Sequence, residues 1–415
     1  MASLPGGIFP RLVAAFPLLF PLYLFRGSFS GIPVTLPEVV LGVMFAWFLL
    51  QLLGKGRELR LRSGWQEWKL WAVFLFLAAA VLGVLVVPDS AFMVDGTEFP
   101  TDTKALGILK GWVFAPVLYF VMARSVFRDK PSLIPFALRA MLVSGAVLSF
   151  FALKQVWTGE YLTLDGRASG PFESANYLSL YLGPLVLYAI LALKESEKTG
   201  ERIFLGLAGG LCLLGLYFTF SYAAWLALFA ALALAVLLYV RRKGKRVFWM
   251  TLGGLVVVGL GVLLSEMGSE KFAQFLEYGE RSSTGVRVQV YEISLALIRE
   301  NPLFGIGLGQ FEQQYQEVAL RVLGEVPFEW NMLHPHNVFL AFWLNMGLAG
   351  LVAFVWLCGR ALLWLTEFSG EASNKKERPL AALMLVVILV HGLFDTPYFK
   401  NDLAFQFWLF MAILL

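Results

Sequence analysis

Three polar clusters interrupt an otherwise apolar chain, and their residue types suit the chemistry of an anion and an alcohol. The first is the run from Arg167 through Ser169 and Gly170 to Asn176 and Tyr177. The second runs from Arg281 to Arg287 and is closed by Asn301-Pro302 and the glycines at 305, 307 and 309. The third is His334-Pro335-His336-Asn337, followed by Gly347 and Gly350. If Thr284 caps a helix, Arg287 falls in its first turn, where a cation opposes the macrodipole. An anion held there by the guanidinium and the free backbone N–H groups would offset that cost; a solvated surface arginine is the other reading. His334 and His336 are two of three histidines in the chain. An imidazole with a pKa near 6.5 suits general-base catalysis, and a backbone cap at a helix entry is the alternative role. A zinc site wants three or four ligands, and the loop offers no third His or Cys, so no metal and no cofactor is expected. His391 and Asp395, four residues apart, share a helix face and either support the site or only pack.

Gly305, Gly307 and Gly309 follow a proline rather than a strand and belong to no βαβ unit, so they are no dinucleotide fingerprint. No phosphate-binding Walker sequence occurs, so the chain does not draw on ATP. No nucleic-acid partner is expected.

The elements that position these clusters are membrane helices. The chain has 415 residues, 59% hydrophobic and only 15% charged, with a mean hydropathy of +0.72. Soluble domains run nearer to about 25% charged, and so many aromatic residues exclude disorder. Crossing the hydrocarbon takes about 20 apolar residues. The apolar runs near 8–25, 34–53, 70–87, 105–123, 133–156, 171–193, 203–220, 222–240, 247–265, 338–365, 380–397 and 402–415 predict twelve spans. Pro17 and Pro21 interrupt the first, which reads as a span rather than a cleaved signal. The run 203–240 is too long for one crossing and is divided at Thr219, Ser221 and Tyr222. Cys212 and Cys358 lie within apolar runs and read as small buried hydrophobes.

Lys and Arg crowd the connections at 54–69, 124–131, 194–202, 241–246 and 367–379, while 88–103 carries Asp89, Asp95, Glu98 and Asp102. By the positive-inside rule the basic set is cytoplasmic and so are both termini. The long connection 266–337 then faces outward. Within it Val288, Tyr291, Leu295 and Ile298 recur at helical spacing up to Pro302, which predicts an amphipathic helix over the bundle mouth. The fold expected is an all-α polytopic membrane protein of about 12 transmembrane helices with one large extracytoplasmic loop. Two parts are expected, 1–157 and 158–415. A secondary transporter is the rival from another class, but no two-half repeat is evident.

On these residues the chain resembles the O-antigen ligase and O-antigen polymerase superfamily, bacterial membrane glycosyltransferases, over roughly residues 160–400. His336-Asn337, nine residues, Gly347, two residues and Gly350 fit the ligase pattern without a gap. Arg167…Ser169-Gly170…Asn176 resembles the family's R-x-S-G…N segment. Arg287 with Asn301-Pro302…Gly305…Gly307 resembles its arginine-helix-N-P-x-x-G-x-G segment. The family often carries Ser-Arg at the turn where this chain has Ser221-Tyr222, so either Arg167 or Arg281 takes that charge role or the donor site differs.

The resemblance implies a metal-independent, inverting transfer of a glycan from a polyprenyl-diphosphate carrier to an acceptor hydroxyl. His336 would be the base and Arg287 the anion grip, with Arg167, Asn176, Arg281, Tyr222, His334 and Asn337 binding substrate. The acceptor would be lipid A core oligosaccharide for a ligase, a lipid-linked repeat for a polymerase, or protein. The location implied is the bacterial inner membrane, with the bilayer itself as a partner and the active site extracytoplasmic.

Overall fold

The computed structural model describes residues 7–29, 32–53, 70–88, 91–94, 97–163, 165–266, 282–367 and 377–415. Arg281 and much of the basic connection at 54–69 lie outside the described residues. The chain opens with α1 (Ile8–Ala15), continued as a 3-10 helix over Phe16–Leu24, where Pro17 and Pro21 withhold the N–H groups an α-helix needs. A hairpin of β1 (Arg26–Phe29) and β2 (Ile32–Thr35) leads into α2 (Leu36–Leu53). After α3 (Trp71–Leu85) comes a second hairpin, β3 (Ala91–Val94) with β4 (Thr97–Pro100). Then α4 (Thr101–Ile108) passes through a π-helical segment, Leu109–Phe114, into α5 (Ala115–Asp129). Six helices follow: α6 (Ile134–Thr158), α7 (Ala175–Glu195), α8 (Thr199–Phe218), α9 (Tyr222–Val240), α10 (Lys245–Glu266) and α11 (Ser283–Glu300). The last four are α12 (Phe311–Leu323), α13 (Val338–Leu362), α14 (Glu377–His391) and α15 (Asn401–Leu414).

Among the described residues, seven helices are long and apolar enough to cross a membrane: Leu36–Leu53, Thr103–Asp129, Pro131–Thr158, Ala175–Glu195, Thr199–Phe218, Tyr222–Val240 and Val338–Thr366. Ile8–Leu24, Trp71–Leu85 and Asn401–Leu414 are apolar but shorter. The other two of the expected runs are also helical, as α10 and α14. One expectation changes here. The run 380–397 does not stay helical: α14 stops at His391, and 392–400 is a turn. The division of 203–240 falls at Thr219–Ser221, where Phe220 takes a left-handed φ of 48° and the Ser221 hydroxyl caps α9. Cys212 and Cys358 are free and buried.

The core joins the early and late parts of the chain: α13 packs on α3, α15 on α5 and α6 on α8. Phe342 and Phe354 of α13 stack at 4.2 Å, and Phe76 of α3 meets Trp408 of α15 at 5.3 Å. Tyr398 fixes the 392–400 turn to this core. Its hydroxyl donates to Trp112 O at 2.8 Å and accepts from Trp408 Nε1 at 2.9 Å.

The described part of the outer connection has a small core of its own. Val290, Ile293, Leu297 and Ile298 of α11 close on Phe311, Tyr315 and Val318 of α12, with Leu344 of α13 beneath them. Of the expected stripe only Ile298 is buried; the rest of the buried face is Val290, Ile293 and Leu297, while Leu295 is 43% exposed and Val288 and Tyr291 are half-buried.

This cap is keyed into a break in α13. Gly347 has φ 66°, outside helical space, which breaks α13 and frees backbone groups around it. The 301–309 turn supplies their partners. Leu348 N donates to Leu303 O at 3.0 Å, Ile306 N donates to Leu344 O at 2.8 Å, and Asn345 Oδ1 accepts from Gly309 N at 2.8 Å. Leu308 N also donates to Gly83 O at 2.9 Å, tying the same turn to α3. A Cβ at Gly347 would collide with Leu303 O, and one at Gly305 with the carbonyls of Trp343 and Leu344. The glycines of both motifs therefore serve one close backbone approach.

Gly347→Ala carries a positive-φ cost of roughly 1–2 kcal/mol plus the collision. It is expected to lower the melting temperature in detergent and to speed protease cleavage within 301–337. Gly359→Ala on the same helix, with open space around it, is the control and should change neither.

Candidate functional site

The site grows from the 392–400 turn. Because α14 ends at His391, Asp395 does not lie one helical turn along from it. The Asp395 N–H still donates to His391 O at 3.1 Å, but its carboxylate faces the start of α13. Asp395 Oδ1 lies 3.5 Å from His336 Nδ1 and 4.0 Å from His334 Nδ1. The two imidazoles meet edge to face at 4.5 Å. Asp395 is 2% exposed and His391 1%, and neither ring nitrogen of His391 has a partner among the described residues. All three histidines of the chain thus stand around one buried carboxylate. Burial alone would raise the Asp395 pKa, but His336 and the fields of His334 and His391 outweigh it and hold the carboxyl well below its usual range. Burial, with the charges of His336 and Lys400, pushes the His334 imidazole down to about 4, so it is neutral near pH 7.

Local backbone fixes the histidines. His336 has φ 47°, a left-handed conformation unusual for a residue other than glycine. Asn337 then caps α13: its Oδ1 accepts from Phe339 N at 2.9 Å and Leu340 N at 3.2 Å, and its Nδ2 donates to Leu393 O at 3.2 Å. Its amide is fully engaged in holding the turn.

Arg287 is placed by α11. Ser282 caps that helix, its hydroxyl accepting from Gly285 N at 2.9 Å. The cap expected at Thr284 is corrected by this contact, and Arg287 moves to the second turn. Its Nε donates to Phe394 O at 3.2 Å and its Nη1 to Ser283 O at 3.0 Å. One turn on, the Tyr291 hydroxyl lies 3.0 Å from the carbonyls of both His336 and Leu393. Helix α11 therefore sets Arg287 beside Asp395 and braces His336 from behind. Among the described residues no carboxylate pairs with Arg287.

Arg167 and Asn176 form a second node. Arg167 Nη2 donates to Asn176 Oδ1 at 2.8 Å, and Nε donates to Thr219 O at 2.7 Å, at the turn before Ser221-Tyr222. Asp165 completes its partners at 3.4 Å. Tyr177, the next residue after Asn176, packs against His334 with ring centroids 5.9 Å apart. Tyr222 opens α9, 58% exposed.

Two groups were not placed in the site by spacing. The spacing of Asp395 and His391 leaves site support and packing open, and the structure turns Asp395 to His336 and His334 across the break in α14. Lys400 lay unremarked between two spans. Its ammonium stands 3.5 Å over the Tyr177 ring and 4.5 Å over that of Phe172.

The ligand atoms of His334, His336 and Asp395 lie within 4.8 Å of one another, close enough to hold a metal ion. Positive charge on either side, Arg287 acting on His391 and Lys400 on His334, opposes a dication there. The same positive charge favours an anion.

Residues 207–355 match the family model described as O-antigen ligase. That stretch contains Tyr222, Arg287, His334, His336 and Asn337, while Arg167, Asn176, Asp395 and Lys400 fall outside it. An uncharacterized protein of Haemophilus influenzae is 26% identical over 237 residues, 54% of this chain. The match takes in 53% of that protein, so the chain spans about half the length of its curated relative. The likeness to the O-antigen ligase superfamily implied by the polar motifs is thereby shown over residues 207–355.

Proposed function

We propose that this protein is an O-antigen ligase-type glycosyltransferase of the bacterial inner membrane. It moves a glycan from a polyprenyl-diphosphate carrier to an acceptor hydroxyl, with lipid A core oligosaccharide as the acceptor. In this reading the chain crosses the membrane twelve times, both termini are cytoplasmic, and the site opens on the outer side.

The observation that carries the reading is His336 Nδ1 at 3.5 Å from the buried Asp395 carboxylate, with Arg287 donating to the carbonyl of Phe394, the residue before Asp395. With Nδ1 turned to Asp395 at 3.5 Å, the imidazole keeps its proton on that nitrogen and presents the Nε2 lone pair. Nε2 takes the proton of the acceptor hydroxyl as the oxygen attacks the anomeric carbon. The bond from that carbon to the diphosphate breaks, and the diphosphate leaves with the electron pair. A single displacement of this kind inverts the anomeric centre. Arg287, with no carboxylate partner among the described residues, neutralises the charge growing on the leaving group. Asp395 stabilises the imidazolium that forms. Arg167 sits at the turn where the family's Ser-Arg pair would place a charge, but its guanidinium is engaged by Thr219 O, Asn176 Oδ1 and Asp165, so its part is to hold that turn.

His336→Ala is expected to lower transfer from a defined lipid-linked donor by about 10²–10⁴-fold without loss of folding, measured in proteoliposomes. Transfer at the wild-type rate would remove the base. Arg287→Lys keeps the charge but loses the planar fork, so it should cut kcat/KM at least about tenfold; an equal rate would reduce Arg287 to a point charge. Surface glycans of a deletion strain test the acceptor. Unmodified core with long lipid-linked chains supports ligase, and single repeats on core would assign a polymerase instead.

A further inference from the structure

Lys400 is the described cation whose surroundings the mechanism leaves unexplained. It precedes α15 and points its ammonium into three aromatic rings: Tyr177 at 3.5 Å, Phe172 at 4.5 Å and Tyr23 at 5.7 Å from the ring centroids. Arg26 stands 5.8 Å over the ring of the same Tyr23. Among the described residues none accepts a hydrogen bond from the Lys400 nitrogen and no carboxylate lies within ion-pair distance. Three N–H donors are thus held in place, half-buried, with only ring faces for company.

Ring faces stabilise an ammonium but accept none of its hydrogen bonds in the plane of a lone pair. A lysine kept only for packing would reach a carboxylate or swing into water, as its flexible stem allows. Here Tyr177 also lies against His334, so the cage shares a wall with the imidazole pair. Arg287 donates to Phe394 O at 3.2 Å, next in the chain to Asp395. Two cations with no carboxylate at ion-pair distance among the described residues, near one pair of imidazoles, suit a ligand with two phosphoryl groups.

We propose that Lys400, walled by Tyr23, Phe172 and Tyr177, is a second phosphoryl-binding subsite that holds the far side of a lipid-linked diphosphate opposite Arg287. This rests on the glycosyl-transfer reading above. The subsite acts in binding; the proton chemistry stays with His336.

The charge on Lys400 is conditional, which makes the proposal readable by pH. Burial and Arg26 lower its pKa, and Asp402 and Glu173 raise it, leaving the group at about 8. The groups facing it are Arg26 from β1, Tyr23 from the helix before it, Glu173 and Tyr177 around the start of α7, His334 from the 334–337 turn, and Asp402 from α15. The ammonium is present below about pH 8 and is lost above it, so phosphoryl binding should weaken as pH rises.

The test uses the full chain in nanodiscs of neutral lipid, with polyprenyl diphosphate and inorganic pyrophosphate as probes. Wild-type affinity for both should fall at least about tenfold between pH 7 and pH 9.5. Lys400→Arg should keep the affinity and flatten the profile, and Lys400→Gln should bind at least about tenfold more weakly at pH 7 at an unchanged melting temperature. In transfer assays Lys400→Gln should raise the donor KM more than it lowers kcat. Lys400→Gln binding like wild type, or Lys400→Arg keeping the pH fall, would overturn the subsite. Lysine-dependent binding of phosphatidylglycerol nanodiscs but of neither diphosphate would also overturn it, assigning the cage to bilayer headgroups. His336→Ala should still bind pyrophosphate, so loss of the base and loss of the subsite are separate results.

Discussion

The break in α13 at Gly347 is the feature on which the rest depends. Backbone polar groups inside a membrane protein must find partners within the protein, and a helix broken in its middle leaves several open. This chain closes them with the 301–309 turn: Leu303 O takes Leu348 N–H, and Ile306 N–H takes Leu344 O. The approach is possible only because Gly305 and Gly347 lack side chains. The satisfaction of one helix thereby fixes the position of another, since α11 runs directly into Asn301 and that turn. Arg287 is held near the histidines by a chain of backbone contacts that begins at Gly347.

The electrostatics follow from that placement. A buried carboxylate is costly unless it is compensated, and Asp395 is compensated by three imidazoles rather than by an arginine or lysine at ion-pair distance. Among the described residues the two strong cations, Arg287 and Lys400, have no carboxylate at ion-pair distance. Had either paired with Asp395, the result would be a neutral, closed ion pair with no attraction left for a substrate. As built, the imidazole near the carboxylate is oriented and the lateral charges are available to an anion.

Composition and loop charge made the membrane class and most of the helices legible, because apolar runs are a signal of length and need no tertiary knowledge. The polar motifs were legible as types: Arg287, His336 and the glycines at 305, 307 and 347 all belong to one assembly. What the residues could not show is how the pieces meet. That Gly347 and the 301–309 glycines touch depends on a kink, and a kink at glycine in an apolar run has no distinctive period. The stripe on α11 was misplaced because Val288, Tyr291 and Leu295 repeat as regularly as Val290, Ile293 and Leu297. Only the partners, Phe311, Tyr315 and Leu344, decide which stripe is buried. Arg167 read as a free anion grip, yet its guanidinium is spent on Thr219 O and Asn176 Oδ1, contacts that span 52 and 9 residues.

The 392–400 turn shows why a motif-based view of the site is incomplete. It lies beyond the stretch matched by the family model, residues 207–355, yet it supplies Asp395 to the histidines and ends at Lys400. Tyr398, between them, is locked by Trp112 O and Trp408 Nε1, so both charges hang from one rigid support. The Val338 N–H donates to Gly392 O at 2.7 Å, which joins the end of α14 to the start of α13 just past His336. A motion that parted α13 from α14 would break that bond and pull Asp395 from His336 at once. In the proposed reaction, orientation of the base and the grip on the leaving group would therefore be mechanically one property of this fold, although the residues assigned to them are scattered from Arg287 to Lys400.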